Sequence, residues 1–324
     1  METVDNNDKL FAVKDAFCQT QISNNNPLSV EKLRFNSDMF HFYTGLQNYQ
    51  TFKFVLRTLG DGAYHLIDRS GSKPKLPVEE QFLVTLMRLR RYTPFKELAF
   101  FFGTNERTIS TIFITWINFM YCKWKLLDIW PSKDMVNLYC PADFKRLYPT
   151  TRVILDGVEC PIRKPKNPRL QQITYSTYKS RNTVKSVPGI TPGGLVSYLP
   201  PVFGGSDSDR QFVERSNVPK LCDRKDSILV DKGFDIQDIF APSDITVNIS
   251  TFLREGNQFT ATQLRSDRKI ASKRVHVERV IGLAKTYKIL ERPMNDIETV
   301  LAERIIFSCF MLCNFRPIIV PENA

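Results

Sequence analysis

Apolar positions change their spacing along this chain, and the changes divide it. Residues 1–30 show no apolar period; they are polar, with Asn24, Asn25 and Asn26 in succession, and predict a poorly ordered leader. Within 31–72, Tyr49, Phe52, Phe54, Val55 and Leu59 fit a short helix. A turn at Gly60-Asp61-Gly62 and a linker at Ser70-Gly71-Ser72-Lys73-Pro74-Lys75 follow. From Pro77 to Trp124 the spacing is helical, with Phe82, Leu83, Leu86, Met87 and Leu89 as its apolar face. A connector carrying Pro131, Pro141 and Pro149 spans 126–150. Beyond Pro149 short apolar runs alternate with turn residues: Val153-Ile154-Leu155, Gly193 to Leu199, and Ile228-Leu229-Val230, each expected to be a strand. A long helix from about Asp267 to Glu291 and a last apolar helix from Ile297 to Phe315 complete the pattern. The expectation is an α/β (α+β) chain: a small all-α domain over 73–125, then a domain over 151–318 with a mixed sheet and flanking helices.

Composition narrows the class. Of the 324 residues 42% are hydrophobic, enough to bury real cores, and the length suits two domains. A net charge of +11 favours an anionic partner, nucleic acid before a membrane surface. Cysteines at 18, 122, 140, 160, 222, 309 and 313 form no CxxC pair, and His41, His65 and His276 lie far from any cysteine cluster, so spacing builds no zinc site. Scattered thiols of odd number fit a reducing compartment. The acidic, polar N-terminus lacks the pattern of a secretory signal, and no apolar run approaches the ~20 residues of a membrane span. A soluble intracellular chain without a membrane partner is expected.

Two segments carry candidate chemistry. In Pro94 to Ile112, Ala99, Gly103 and Ile109 have helix-turn-helix spacing. The small Ala lets two helices approach, Gly supplies the turn, and Ile anchors the second helix. Thr104 or Asn105 would cap that helix, and Arg107, Ser110 and Thr111 would face DNA. Lys73 to Lys125 holds nine Lys/Arg against four Asp/Glu. A purely structural helical pair has the same spacing.

The second segment is a set of carboxylates. Val153-Ile154-Leu155-Asp156-Gly157 and Ile228-Leu229-Val230-Asp231-Lys232-Gly233 each run three branched apolar residues into an Asp, with Gly close behind. Such a strand is buried on both faces and delivers its Asp to the sheet edge, where sites form. Glu278 stands beside the helical stripe Val277, Ile281 and Ala284, with Gly282 one turn on and Arg274 and Lys285 on nearly the same face. Phosphodiester cleavage needs an activated oxygen nucleophile and a stabilised leaving oxyanion, and two divalent ions about 3.5–4 Å apart supply both. Mg²⁺ and Mn²⁺ take oxygen ligands, so Asp156, Asp231 and Glu278 are the expected catalytic and metal-binding residues. Singly, each has a plainer role: the aspartates as turn formers and Glu278 as the i+4 partner of Arg274. Cys160 to Ser206 contains seven Lys/Arg and no acid, and Arg254 to Lys288 nine against three. Lys164, Lys179, Arg181, Lys185, Arg274 and Lys285 are therefore expected along a DNA backbone.

These segments resemble a known family. Leu155-Asp156-Gly157 with Cys160-Pro161, Tyr178 to Lys185, Gly204 to Arg210, Val230 to Phe234 and Arg274 to Gly282 are similar to the DDE superfamily endonucleases of Harbinger (PIF/Harbinger)-type transposases and transposase-derived proteins. The likeness covers about 150–315, and 76–125 resembles the helix-turn-helix that accompanies that domain. It implies an RNase-H-like fold, an acidic triad at Asp156, Asp231 and Glu278 with separations of 75 and 47 residues, and strand cleavage and transfer with Mg²⁺ or Mn²⁺. Asp209 matches a recurrent Asp and is assigned a supporting role. Relatives carry an N-terminal zinc-binding THAP domain or use a separate DNA-binding protein, and this sequence lacks the cysteine/histidine pattern of the former. The resemblance further implies DNA as partner, a homodimer on DNA and residence in the nucleus. The alternatives are a domesticated, catalytically silent DNA-binding protein and a helix-turn-helix regulator.

Overall fold

The computed structural model describes residues 27–67, 71, 75–250, 260–317 and 319–321. Residues 1–26 of the leader expected over 1–30, and most of the linker at 70–75, lie outside them. The helices that matter below are α1 Ser37–Thr44, α2 Tyr49–Thr58, α3 Val78–Arg91, α4 Phe95–Phe101, α5 Glu106–Trp124, α6 Lys133–Leu138, α7 Ala142–Leu147, α8 Pro168–Thr174, α9 Asp209–Glu214, α10 Ala261–Lys285, α11 Asp296–Val300 and α12 Ala302–Cys313. The strands are β1 Thr151–Leu155, β2 Val158–Pro161, β3 Tyr175–Ser176, β4 Arg181–Ser186, β5 Gly189–Ile190, β6 Val196–Tyr198, β7 Phe203–Gly204, β8 Ser227–Val230 and β9 Thr246–Asn248.

Among the described residues the main sheet runs β6-β5-β1-β8-β9, with β1, β8 and β9 parallel and β5 and β6 antiparallel. It is mixed, as expected. The two-residue period of a strand separates its faces. Ile154 and Leu229 join one core with Val277, Val280 and Ile281 of α10 and Ile305 and Phe310 of α12. Their neighbours Val153, Leu155, Ile228 and Val230 join a second core with Phe212 and Val213 of α9 and with Phe240. The sheet is thus buried between two helical layers, which is why the last three residues of β1 and of β8, Val153 to Leu155 and Ile228 to Val230, are all apolar. A second sheet, β2-β4-β3 with β7 on β4, stands directly after β1. Only Asp156 and Gly157 separate the two sheets along the chain.

Local chemistry moves several boundaries from their sequence-based positions. α10 starts at Ala261 because Thr260 and Gln263 form a reciprocal capping box there. The apolar stretch 297–315 is two helices that meet at Leu301, the first capped by Asn295 with Glu298. Of Gly193 to Leu199 only the end is strand, since Gly194 takes φ 92° in the turn that reverses the chain. The connector 126–150 folds into α6, capped by Ser132, and α7, which buries Phe144 against His276. One short helix was expected in 31–72; α1, α2 and a turn at Val30–Leu33 form, capped by Asn36, Asn48 and Ser29.

The helical region is joined to the sheet domain through a continuous core. Phe82 and Trp116 of α3 and α5 belong to the same cluster as Ile289, Leu301 and Phe310. A buried ion pair crosses the same boundary: Arg88 Nη2 of α3 lies 2.5 Å from Glu298 Oε1 of α11, with both side chains nearly inaccessible. Arg88 also donates to the carbonyls of Tyr92 and Thr93, and its guanidinium packs on the rings of Tyr92 and Phe95. Glu298 accepts further bonds from Tyr92 Oη and the Asn295 N–H, so the pair's remaining hydrogen-bonding capacity is largely met.

Candidate active site

β1 and β8 are parallel neighbours with Leu155 opposite Val230, so Asp156 and Asp231 leave the sheet side by side. Each carboxylate accepts a bond from the next backbone N–H: Gly157 N to Asp156 Oδ1 at 2.9 Å, and Lys232 N to Asp231 Oδ1 at 2.7 Å. These bonds hold the side chains at the strand ends. α10 crosses the sheet on its buried Val277, Val280, Ile281 and Ala284, which brings Glu278 to the same edge.

The three carboxylates meet on one cation. Arg274, one turn before Glu278, places Nη1 2.8 Å from Asp231 Oδ1 and Nη2 3.5 Å from Glu278 Oε1 and 4.0 Å from Asp156 Oδ2. Its side chain is only 17% exposed. Burial pushes the Asp156 carboxyl up to about 6, the positive charge of Arg274 opposes that rise, and Asp231 and Glu278 add to it. The positive charge of Arg274 thus favours the ionised form of Asp156.

A fourth carboxylate adjoins the three. A Cβ on Gly157 would come 3.2 Å from Asp209 Oδ1, and one on Gly233 3.6 Å from Oδ2. Gly157 therefore leaves room for Asp209, while a side chain at Gly233 would meet it in ordinary contact. Lys185 Nζ lies 2.9 Å from Asp209 Oδ1. Lys185, expected on the DNA track, is thus at the edge of the acidic site. Gly282, one turn after Glu278, faces open space. His276 is buried beneath α10, with Nδ1 2.8 Å from the Pro192 carbonyl oxygen, and points away from the carboxylates as a packing residue.

Among the described residues no group of three or more carboxylates, imidazoles and thiols is gathered closely enough to hold an ion in this side-chain arrangement. The donor set nevertheless fits a hard divalent cation. All its donors are carboxylate oxygens, and three of them already converge on a positive group.

The other expected DNA contacts fall into two places. Lys164 and Arg181 line an open groove of 830 Å³ with Tyr175, Gln171, Ser180 and Ser206, and no acid lines it. Two of its lining residues share segments with residues beside the carboxylates. Arg181 begins the strand that carries Lys185, and Ser206 precedes Asp209 by three residues. Lys179 is exposed beside it, its Nζ 4.5 Å over the ring of Tyr178. Lys285 is half-buried near the end of α10, two turns beyond Glu278. A more apolar cavity of 380 Å³ beside Gly194, Val280 and Leu283 includes none of the carboxylates.

In the helical region α4 and α5 form the expected pair. Ala99 is buried between them, Gly103 takes φ 59° in the turn, Asn105 accepts from Thr108 N, and Ile109 is fully buried. Arg107 is exposed and Ser110 and Thr111 are half-buried. From Ile112 onward α5 buries Phe113, Trp116, Ile117 and Met120, so its first two turns offer the surface for a groove.

A mixed sheet between helical layers, with acidic side chains at the ends of two adjacent parallel strands and on a covering helix, defines an RNase-H-like α/β domain. Residues 155–314 match the family described as DDE superfamily endonuclease, and residues 74–125 match the helix-turn-helix of DDE superfamily endonuclease. The chain thus carries a DDE superfamily endonuclease domain together with the helix-turn-helix of that superfamily. Neither the curated proteins nor the solved structures contain a match to it. Within the described residues no helix is long and apolar enough to cross a membrane.

Proposed function

We propose that this chain is a divalent-metal-dependent DNA endonuclease of the transposase type, akin to the Harbinger group, that hydrolyses and transfers phosphodiester bonds. The observation that carries this reading is the convergence of Asp156, Asp231 and Glu278 on a single cationic centre at the sheet edge. These three residues would hold Mg²⁺ or Mn²⁺. Two such ions, when bound, supply an activated oxygen nucleophile and neutralise the leaving oxyanion. Asp156 and Asp231 fix their oxygens through the bonds to the following backbone N–H groups, and the half-exposed Glu278 closes the site from α10. Asp209, paired with Lys185, would support the site from beside the glycines that follow the two aspartates.

DNA is the proposed partner, and the nucleus the proposed compartment. The scissile strand would leave the carboxylates past Lys185 and follow Arg181, Lys164 and Lys179 along the acid-free groove. Arg107, Ser110 and Thr111 would read or position a duplex at the start of α5. Strand transfer at two ends would employ a homodimer on DNA, with a separate DNA-binding protein adding end recognition.

The test is nicking of supercoiled plasmid by the purified chain. Nicking is expected with Mn²⁺ or Mg²⁺ and not in chelator. DNA affinity is expected to fall by about one power of ten or more between 50 and 200 mM salt, because several phosphate contacts displace counterions. Equal nicking in chelator would remove the metal from the account. Salt-dependent binding without nicking under either metal would leave a catalytically silent DNA-binding protein.

A further inference from the structure

Arg274 was expected to face a DNA backbone, and the structure puts its guanidinium inside the carboxylate set. The arginine has no need of a carboxylate cluster for helix stability, since the bond to Glu278 one turn on would serve as an ordinary surface pair. Instead the side chain is largely buried and reaches across from α10 to both strand ends. Its charge is permanent, and its planar fork can serve several carboxylates at once. Three carboxylates brought this close without a cation would repel each other.

The fit of the guanidinium is incomplete. Nη2 is at 3.5 and 4.0 Å from its two carboxylates, and Nε is buried with no hydrogen-bond partner. A buried donor left unpaired costs stability, so the arrangement retains the arginine less firmly than a fully bonded pocket would. A divalent ion carries twice the charge and binds oxygen at shorter range, and it requires the same oxygens that Arg274 now occupies.

We propose that Arg274 is the resident counter-cation of the site: its guanidinium holds Asp156, Asp231 and Glu278 together and must be displaced for a divalent ion to bind. This rests on reading the three carboxylates as a metal site. Arg274 is then a positioning residue with two opposed effects. It assembles the ligands before the metal arrives, and it weakens metal binding by competing for them.

The test compares Mn²⁺ binding to the full-length wild type and to Arg274→Met, read from the loss of the free-ion electron paramagnetic resonance signal, with melting temperatures measured with and without Mn²⁺. The variant keeps an unbranched side chain of good helix propensity and removes the charge. It is expected to bind Mn²⁺ at least about tenfold more tightly, which corresponds to about 1.4 kcal/mol. Without metal it is expected to melt below the wild type, and saturating Mn²⁺ should reverse that loss. Equal affinities, or weaker binding by the variant, would overturn the proposal while leaving the metal site in place. If neither protein bound Mn²⁺, the metal-site reading itself would fall. Should Arg274→Met fail to fold, Arg274→Lys decides: it loses the planar fork, so tighter Mn²⁺ binding than wild type supports competition, and unchanged binding rejects it.

Discussion

Replacing Asp156 or Asp231 with asparagine is expected to lower metal-dependent plasmid nicking by about 10²–10⁴-fold, with DNA binding retained. Asparagine has nearly the same shape and keeps a carbonyl oxygen for the Gly157 or Lys232 N–H, so the strand end retains its bond. The charge that would hold a metal ion is lost. Metal ions supply several kcal/mol of transition-state stabilisation, and each 1.36 kcal/mol is a factor of ten in rate. Effects at the two positions should not add, because either loss disables the same site. Asp156 is the more buried of the pair, so removing its charge also removes a desolvated carboxylate, and Asp156→Asn should be no less stable than wild type. Initial rates on supercoiled plasmid, beside melting curves and filter-binding affinities, measure all three quantities. A rate within threefold of wild type in either variant would take that aspartate out of the chemistry.

The largest effect on stability is expected far from the carboxylates, at Glu298→Ala. Removing this carboxylate leaves Arg88 buried and charged, and strips a bond from both Tyr92 Oη and the Asn295 N–H. Breaking a buried ion pair from one side costs about 3–5 kcal/mol. Replacing both members with apolar side chains, as in Arg88→Met with Glu298→Leu, removes the stranded charge and should recover most of that loss. Urea unfolding of the two variants measures it. Because the pair joins α3 to α11, Glu298→Ala should also loosen the helical region from the sheet domain. A loss below about 1 kcal/mol would mean that water reaches Arg88 and that the junction is not closed as described.

How much of this was legible in the sequence follows from the range of the forces involved. The ends of β1 and β8 were, because a run of branched apolar residues marks a strand buried on both faces and the first acid after it marks the edge. Ala99, Gly103 and Ile109 were legible for a similar reason, since steric demands at a tight helix crossing restrict residue type. The family resemblance supplied the pairing of Glu278 with the two aspartates, and the geometry then brought all three to Arg274. Contacts between residues remote in the chain left no local trace. Glu298 reads as an ordinary first-turn acid in a capping box, and only the fold sets it against Arg88. Asp209 is likewise a first-turn residue of α9, whose place against Gly157 and Gly233 depends on how α9 meets the sheet. For Arg274, a cation one turn before Glu278 is equally consistent with facing solvent, DNA or the carboxylates. Its direction was set by the angle at which α10 crosses β1 and β8. Gly157 was a usable signal of crowding beside Asp156, though not of which side chain fills the space.

The most direct test of the central claim, that these carboxylates hold the metal that cleaves DNA, is the metal preference of Asp231→Cys in the nicking assay. A thiolate is a soft ligand that disfavours Mg²⁺ and accepts more thiophilic ions such as Mn²⁺ or Cd²⁺. Asp231 is nearly half exposed at the sheet edge, so cysteine fits without repacking the core. The account predicts that Asp231→Cys loses nicking in Mg²⁺ and recovers a substantial part of it in Mn²⁺ or Cd²⁺, while Asp231→Ala recovers none. Nicking by Asp231→Cys in Mg²⁺ at the wild-type rate, or rescue of the alanine variant to the same degree, would contradict it.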